Sequence, residues 1–228
     1  TNVASIGVNG TTGRHAMRLI NSRFSVENKF FWDERAATLE IQTTQPIRNH
    51  AEMGFSGADG DEDFSNLVTK LSGIAYYKEL FKFVYGAEDI TKSKIQLALA
   101  QFIRSIQSFD SKYDVGRAQV ANDNQPFPNY TNQENQGKQL FLNAPQFDAT
   151  GNRTGGGLGC AGCHAAPEFD IAPNSGNNGI IGVLNGTGID ITNTRAPSLR
   201  DIVKQDGTLN GPLMHTGVIT SLQAVIGH

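Results

Sequence analysis

Gly159-Cys160-Ala161-Gly162-Cys163-His164 contains C-x-x-C-H, the pattern that attaches c-type haem. The spacing has a chemical reason. On the first turn of a helix, two cysteines three apart share one face, so both thiols reach the two vinyl groups of one porphyrin. The histidine that follows lies under the iron and supplies an axial nitrogen. Ala161 and Gly162 are small, as a haem edge packed on backbone requires. Cys160 and Cys163 are the only cysteines of the 228-residue chain. Two cysteines alone also suit a disulfide, a redox pair or half of a zinc site; His164 selects haem among these. Zinc would need two more ligands and there is no second cysteine pair. Covalent haem attachment takes place outside the cytoplasm, so the motif implies redox work in a bacterial periplasm or at a cell surface.

Around this motif the sequence is mildly acidic, with net charge -3, and carries 25 glycines. It has no basic run or stripe, which argues against a nucleic-acid partner. It also has no apolar stretch of about 18 residues able to span a membrane as a helix. Thr1 to Gly10 lack the charged start and apolar run of a signal peptide. Most periodic segments predict helices, over 34–44, 63–72, 76–84, 91–108, 133–142, 197–204 and 220–228. In the strongest of them Thr91 is the N-cap candidate, and Ile95, Leu99, Phe102, Ile103 and Ile106 form a core stripe. The expected fold is therefore all-α, with cytochrome c-like haem domains and long irregular loops. Residues 110–131, rich in Asp, Asn and Gln with two prolines, predict a linker. They divide a helical domain over 1–110 from a haem domain over 132–228. Residues 170–195, without helical period, predict an excursion that wraps the haem.

Several further motifs then align in order. They are Phe30-Phe31-Trp32-Asp33-Glu34-Arg35-Ala36 with Leu39-Glu40 and Gln42, Pro46-Ile47, and Glu52-Met53-Gly54. Gly137 with Leu140-Phe141 precedes the haem motif, and Arg195-Ala196-Pro197-Ser198-Leu199-Arg200 and Gly211-Pro212-Leu213-Met214-His215-Thr216-Gly217 follow it. In this order and spacing the sequence resembles the bacterial di-haem cytochrome c peroxidases, whose relatives include MauG-type enzymes, over nearly the whole chain.

That resemblance implies two haem domains, a peroxide site at the N-terminal haem and electrons entering through the C-terminal one. The motif at Cys160 matches the C-terminal haem. The second haem is expected upstream of Thr1, with this chain a part of a longer protein and 1–110 the remainder of the peroxidatic domain. Glu52 matches the family's glutamate: a carboxylate beside an open iron position can take the first proton of a peroxide and return it to the leaving oxygen. Gln42 matches its glutamine, which orients the bound oxygen without changing charge. Trp32, the only tryptophan, matches the ring placed between the haems. The implied partners are hydrogen peroxide and a small donor cytochrome c or cupredoxin, and the resemblance admits a homodimer.

His164 is the expected axial ligand. Met214, His215 and His228 are the candidates in the chain for the sixth, although the family's position falls one residue past His228. The family's calcium ion would take the backbone carbonyls of Asn210 and Pro212, but its asparagine partner aligns with His15, a poor calcium ligand. Two alternatives stand beside a peroxidase. One is a MauG-like haem oxidase acting on another substrate. The other is a monohaem electron carrier, for which Met214 would be the sixth ligand.

Overall fold

Polar caps set the helices of the chain. The computed structural model describes residues 3–25, 29–171 and 175–228. Thr38 accepts the Ile41 N–H to start α1 (Leu39–Thr44). Asp63 and Asn66 close a reciprocal cap on α2 (Phe64–Ser72). Gly86, at φ 77, ends α3 (Ala75–Tyr85) in the left-handed conformation. Thr91 caps α4 (Lys92–Ser105) through the Lys94 N–H. Ser111 with Asp114 and Thr131 with Glu134 cap α5 (Lys112–Arg117) and α6 (Asn132–Leu142), and Ser221 caps α7 (Leu222–Ile226).

Two small cores hold the N-terminal helices together. Leu39 of α1 packs with Phe30, Ala36, Ala100 and Ile103, which joins α1 to α4. Phe81 of α3, Ile90 and Ile95 form the second core with Phe64, Val68 and Leu71 of α2. The stripe on α4 is narrower than its apolar sequence: Ile95 and Ile103 are buried, but Phe102 is 66% exposed.

The all-α expectation is not met. Among the described residues helix accounts for 31% and strand for 9%. β1 (Pro145–Phe147) pairs antiparallel with β2 (Arg153–Gly156), and β3 (His164–Ala165) with β4 (Asp170–Ile171). The rest is turns and isolated bridges such as Phe30 with Ala36 and Leu213 with Ile219. The expected helix at 197–204 is absent because its backbone is committed elsewhere. The Leu199 N–H donates to Phe169 O, the Ser198 hydroxyl to Glu168 O, and Asp201 sits at φ 59. Residues 111–131, expected as a linker, contain α5 and bury Phe127 at 1% exposure against Tyr113 and Tyr130. Arg200, itself buried, grips Asp114 of α5 through Nη1 and Nη2 at 2.9 and 2.8 Å, tying the C-terminal segment to that stretch.

Candidate functional site

The haem motif lies on a single 3-10 turn, Cys160–Gly162, and not on the helix expected for it. Gly159, at φ 73, turns the chain into it, and the Cys163 N–H donates to Cys160 O. His164 then leaves directly into β3, and Pro167 lies two residues beyond that strand. No second helical turn can form.

Both thiols are free, Cys160 half-buried and Cys163 exposed. Burial pushes the Cys160 thiol up from its ordinary value. His164 Nδ1 lies 3.0 Å from Phe169 O. A carbonyl only accepts, so Nδ1 carries the proton and Nε2 keeps its lone pair. Burial holds this imidazole below its usual pKa, against the opposing carbonyls of Phe169 and Pro197. Two free thiols three apart and a neutral imidazole with an open Nε2 are the donor set that a c-type haem requires. The cavity beside them, of about 130 Å³, is lined by Cys163, His164, Pro197, Met214 and Trp32. Of the three candidate sixth ligands, only Met214 and His215 line it. The Asn178 amide donates to the Met214 sulfur at 3.2 Å, His215 Nε2 lies 3.0 Å from Gly182 O, and His228 Nε2 lies 3.0 Å from Asn178 O.

A larger cavity of about 1190 Å³ shares Trp32 with the smaller one, and Gln42 and Glu52 both line it. The three residues singled out for peroxide chemistry thus meet at one space. Gln42 projects from α1, and its buried Oε1 has no hydrogen-bond donor among the described residues. Glu52 sits on the turn after Pro46. Its N–H donates to Asn49 Oδ1, and its carbonyl accepts the Val8 N–H at 2.9 Å. Burial raises the Glu52 carboxyl above the usual range, and the Arg35 guanidinium partly opposes the shift. Arg35 is itself fixed, stacked 3.7 Å from the Phe31 ring centre and bonded to Asp33 and Gln45. An orphaned amide oxygen and a carboxyl of raised pKa facing one large space suit a bound, oxygen-bearing ligand that exchanges protons.

Trp32 lines both cavities, as do His15, Arg18 and Arg195. Its indole N–H donates to His15 O at 2.7 Å, and its ring meets the His215 ring edge-on at 6.1 Å. The Thr194 and Arg195 N–H groups both donate to Trp32 O, and the His15 N–H to His215 O. Phe31 and Glu34, at φ 72 and 56, hold the loop around Trp32 in the left-handed region. The dividing wall is therefore built from chain segments far apart in sequence.

The first 122 residues of the chain match the family described as di-haem cytochrome c peroxidase. The chain belongs to that family. It is 27% identical over 226 residues to the methylamine utilization protein MauG of Methylophilus methylotrophus, covering 96% of this chain and 58% of that protein. With the cytochrome c peroxidase Ccp of Escherichia coli it shares 28% identity over 225 residues, 97% of this chain and 44% of the other. With the cytochrome c551 peroxidase of Nitrosomonas europaea it shares 27% over 223 residues, 93% and 57%. This di-haem peroxidase-family chain thus spans about half the length of the curated relatives it matches. Its fold is similar to that of a MauG-like protein associated with microbial copper homeostasis, with TM-score 0.58, 22% identity, and coverage of 99% of this chain and 62% of the other. Among the described residues no helix is long and apolar enough to cross a membrane.

Some residues of the site carried no sequence signal. Arg195 belongs to the motif over 195–200 but its sequence implies no role there, yet it is buried, lines both cavities and bonds Ser25 Oγ and Lys29 O. Gly7 packs against the Glu52 backbone, and nothing local in the sequence marks it.

Proposed function

We propose that this chain is part of the working core of a di-haem peroxidase that reduces hydrogen peroxide to water with two electrons and two protons. The larger cavity takes the peroxide-reactive haem, which is attached through residues outside this sequence. Cys160, Cys163 and His164 hold the electron-transfer haem. When bound, the haem irons supply the electrons for O–O cleavage. The chain's own groups handle the protons. Glu52 accepts one from the oxygen that binds and returns it to the oxygen that leaves as water. Gln42 orients the bound oxygen with its amide, without changing charge. Trp32 carries electrons through the wall that it shares with both cavities. The donor is a small cytochrome c or cupredoxin, and the setting is the periplasm or the outer cell surface.

One observation carries this reading: Trp32, Gln42 and Glu52 line the same cavity, and Trp32 also lines the smaller cavity that His164 lines. A simple electron carrier has no use for a half-buried carboxylate of raised pKa there. The test is stopped-flow reaction of the half-reduced, full-length protein with hydrogen peroxide. Rapid reaction in wild type and loss in Glu52→Gln are expected; an equal rate in the variant refutes the assignment. A second reading, oxidation of a protein or small-molecule substrate at the same cavity, is favoured by the MauG relative and uses the same acid–base groups. Product analysis after peroxide addition, with and without a reduced cytochrome donor, separates the two.

A further inference from the structure

The resemblance assigns a calcium ion to the backbone carbonyls of Asn210 and Pro212, and the residues present do not fit it. Asn210 O already accepts from Arg18 Nη2 at 2.6 Å, and Arg18 Nε donates to Asp201 O at 3.2 Å. The Asn210 side-chain amide donates to Asp201 O and Oδ2 at 3.0 and 2.9 Å. The carbonyls of Asn210 and Asp201 are therefore already engaged by nitrogen donors from the protein itself. His15, aligned with the family's asparagine ligand, turns Nδ1 to Val3 O at 2.7 Å and gives its carbonyl to Trp32. Calcium needs six to eight oxygens at about 2.3–2.6 Å.

We infer that the Arg18 guanidinium is the built-in cation of this junction, taking the carbonyls of Asp201 and Asn210 in place of a divalent metal. A guanidinium suits the role. It is always charged, and its planar fork presents donors in fixed directions that reach two carbonyls at once. Arg18 lies in the stretch from His15 to Arg18 that lines both cavities. Its two bonds pin that stretch to the loop leading into Pro212 and His215. The wall around Trp32 is thus held by the chain itself and needs no ion to close. This holds whichever substrate the haem serves.

The test uses the haem-loaded protein, with thermal unfolding and the haem absorbance spectrum recorded in excess EGTA and in excess calcium chloride. Wild type should melt at the same temperature and show the same spectrum in both, and calorimetric titration with calcium should give no stoichiometric site. Arg18→Ala should melt about 4–8 °C lower in EGTA, through loss of two charge-assisted hydrogen bonds. A wild-type midpoint that falls on chelation, a stoichiometric calcium site, or an Arg18→Ala variant that melts like wild type would each overturn the inference. If the variant does not fold, the wild-type chelation and titration results decide alone.

Discussion

Gly7 sits against the backbone of the turn that carries Glu52, although it has no chemistry of its own. A Cβ built there would lie 2.1 Å from Ala51 O, 2.5 Å from Glu52 O and 2.6 Å from the Glu52 Cα. All three are backbone atoms, so no rotamer change relieves the overlap. To reach an ordinary contact of 3.4 Å, the nearest gap must open by about 1.3 Å. The Val8 to Glu52 and Asn9 to Ala51 hydrogen bonds, at 2.9 and 3.4 Å, stand in the way. Gly7→Ala should therefore cost about 2–3 kcal/mol, in the upper range for overpacking, or about 5–10 °C in Tm for a domain of this size. It should also move Glu52 by about 1 Å, enough to slow an oriented proton transfer by on the order of 10²-fold. Gly10→Ala is the control, because its Cβ would meet only Ala51, at the ordinary contact distances of 3.5 Å to Cβ and 4.0 Å to Cα. Differential scanning calorimetry and stopped-flow peroxide reaction on both variants give the answer. If Gly7→Ala matches Gly10→Ala in Tm and rate, the 5–12 segment does not position Glu52 and the reasoning fails.

Glu52→Gln should slow peroxide turnover by about 10²–10⁴ while leaving the absorbance of the haem at Cys160 and Cys163 unchanged; Gln42→Ala should cost less. Trp32→Phe should slow electron transfer between haems more than peroxide binding, as read by single-turnover kinetics on the half-reduced protein. Arg35→Gln removes the cation that opposes the burial-driven rise of Glu52. The carboxyl pKa should rise further, moving the acid limb of the pH–rate profile to higher pH. Arg200→Met leaves buried Glu168 and the half-buried Asp114 without their cation, and denaturant unfolding should record a loss of about 3–5 kcal/mol.

The haem motif was legible because its chemistry needs fixed residue types at fixed spacing. The helices were legible where a cap preceded an apolar period, and Thr91 is the cap found on α4. The all-α expectation failed where backbone groups find partners far along the chain, as Leu199 does with Phe169. Periodicity reports only local partners, so such a segment looks helical until its long-range bonds are known. The haem turn failed as a helix for a related reason: Gly159 supplies the left-handed start, and His164 pairs at once with Ile171. α5 was hidden because Ser111 and Asp114 read as linker residues, although their reciprocal hydrogen bonds make a helix start. Arg195 and Gly7 escaped because their roles are set by elements distant in sequence.

The scarcity of helix has a consequence at the wall between the cavities. No single element spans it. Trp32 is fixed by bonds from Thr194 and Arg195 to its carbonyl and from its indole to His15, while His15 is bonded to His215. Each bond joins segments that neither helix propensity nor a local turn would bring together. The strain at Phe31 and Glu34, of order 1–3 kcal/mol each, persists only where the surroundings over-determine it. That over-determination comes from both halves of the chain. Residues 30–36 close the loop by the Phe30–Ala36 bridge, and residues 194–195 and 215 hold its tip. Orientation of the ring is thus coupled to the segment carrying His215, next to Met214 in the smaller cavity. A change at the haem side of the wall is felt by Trp32 through backbone hydrogen bonds and a ring contact, a physical route by which the state of one cavity can bias the other.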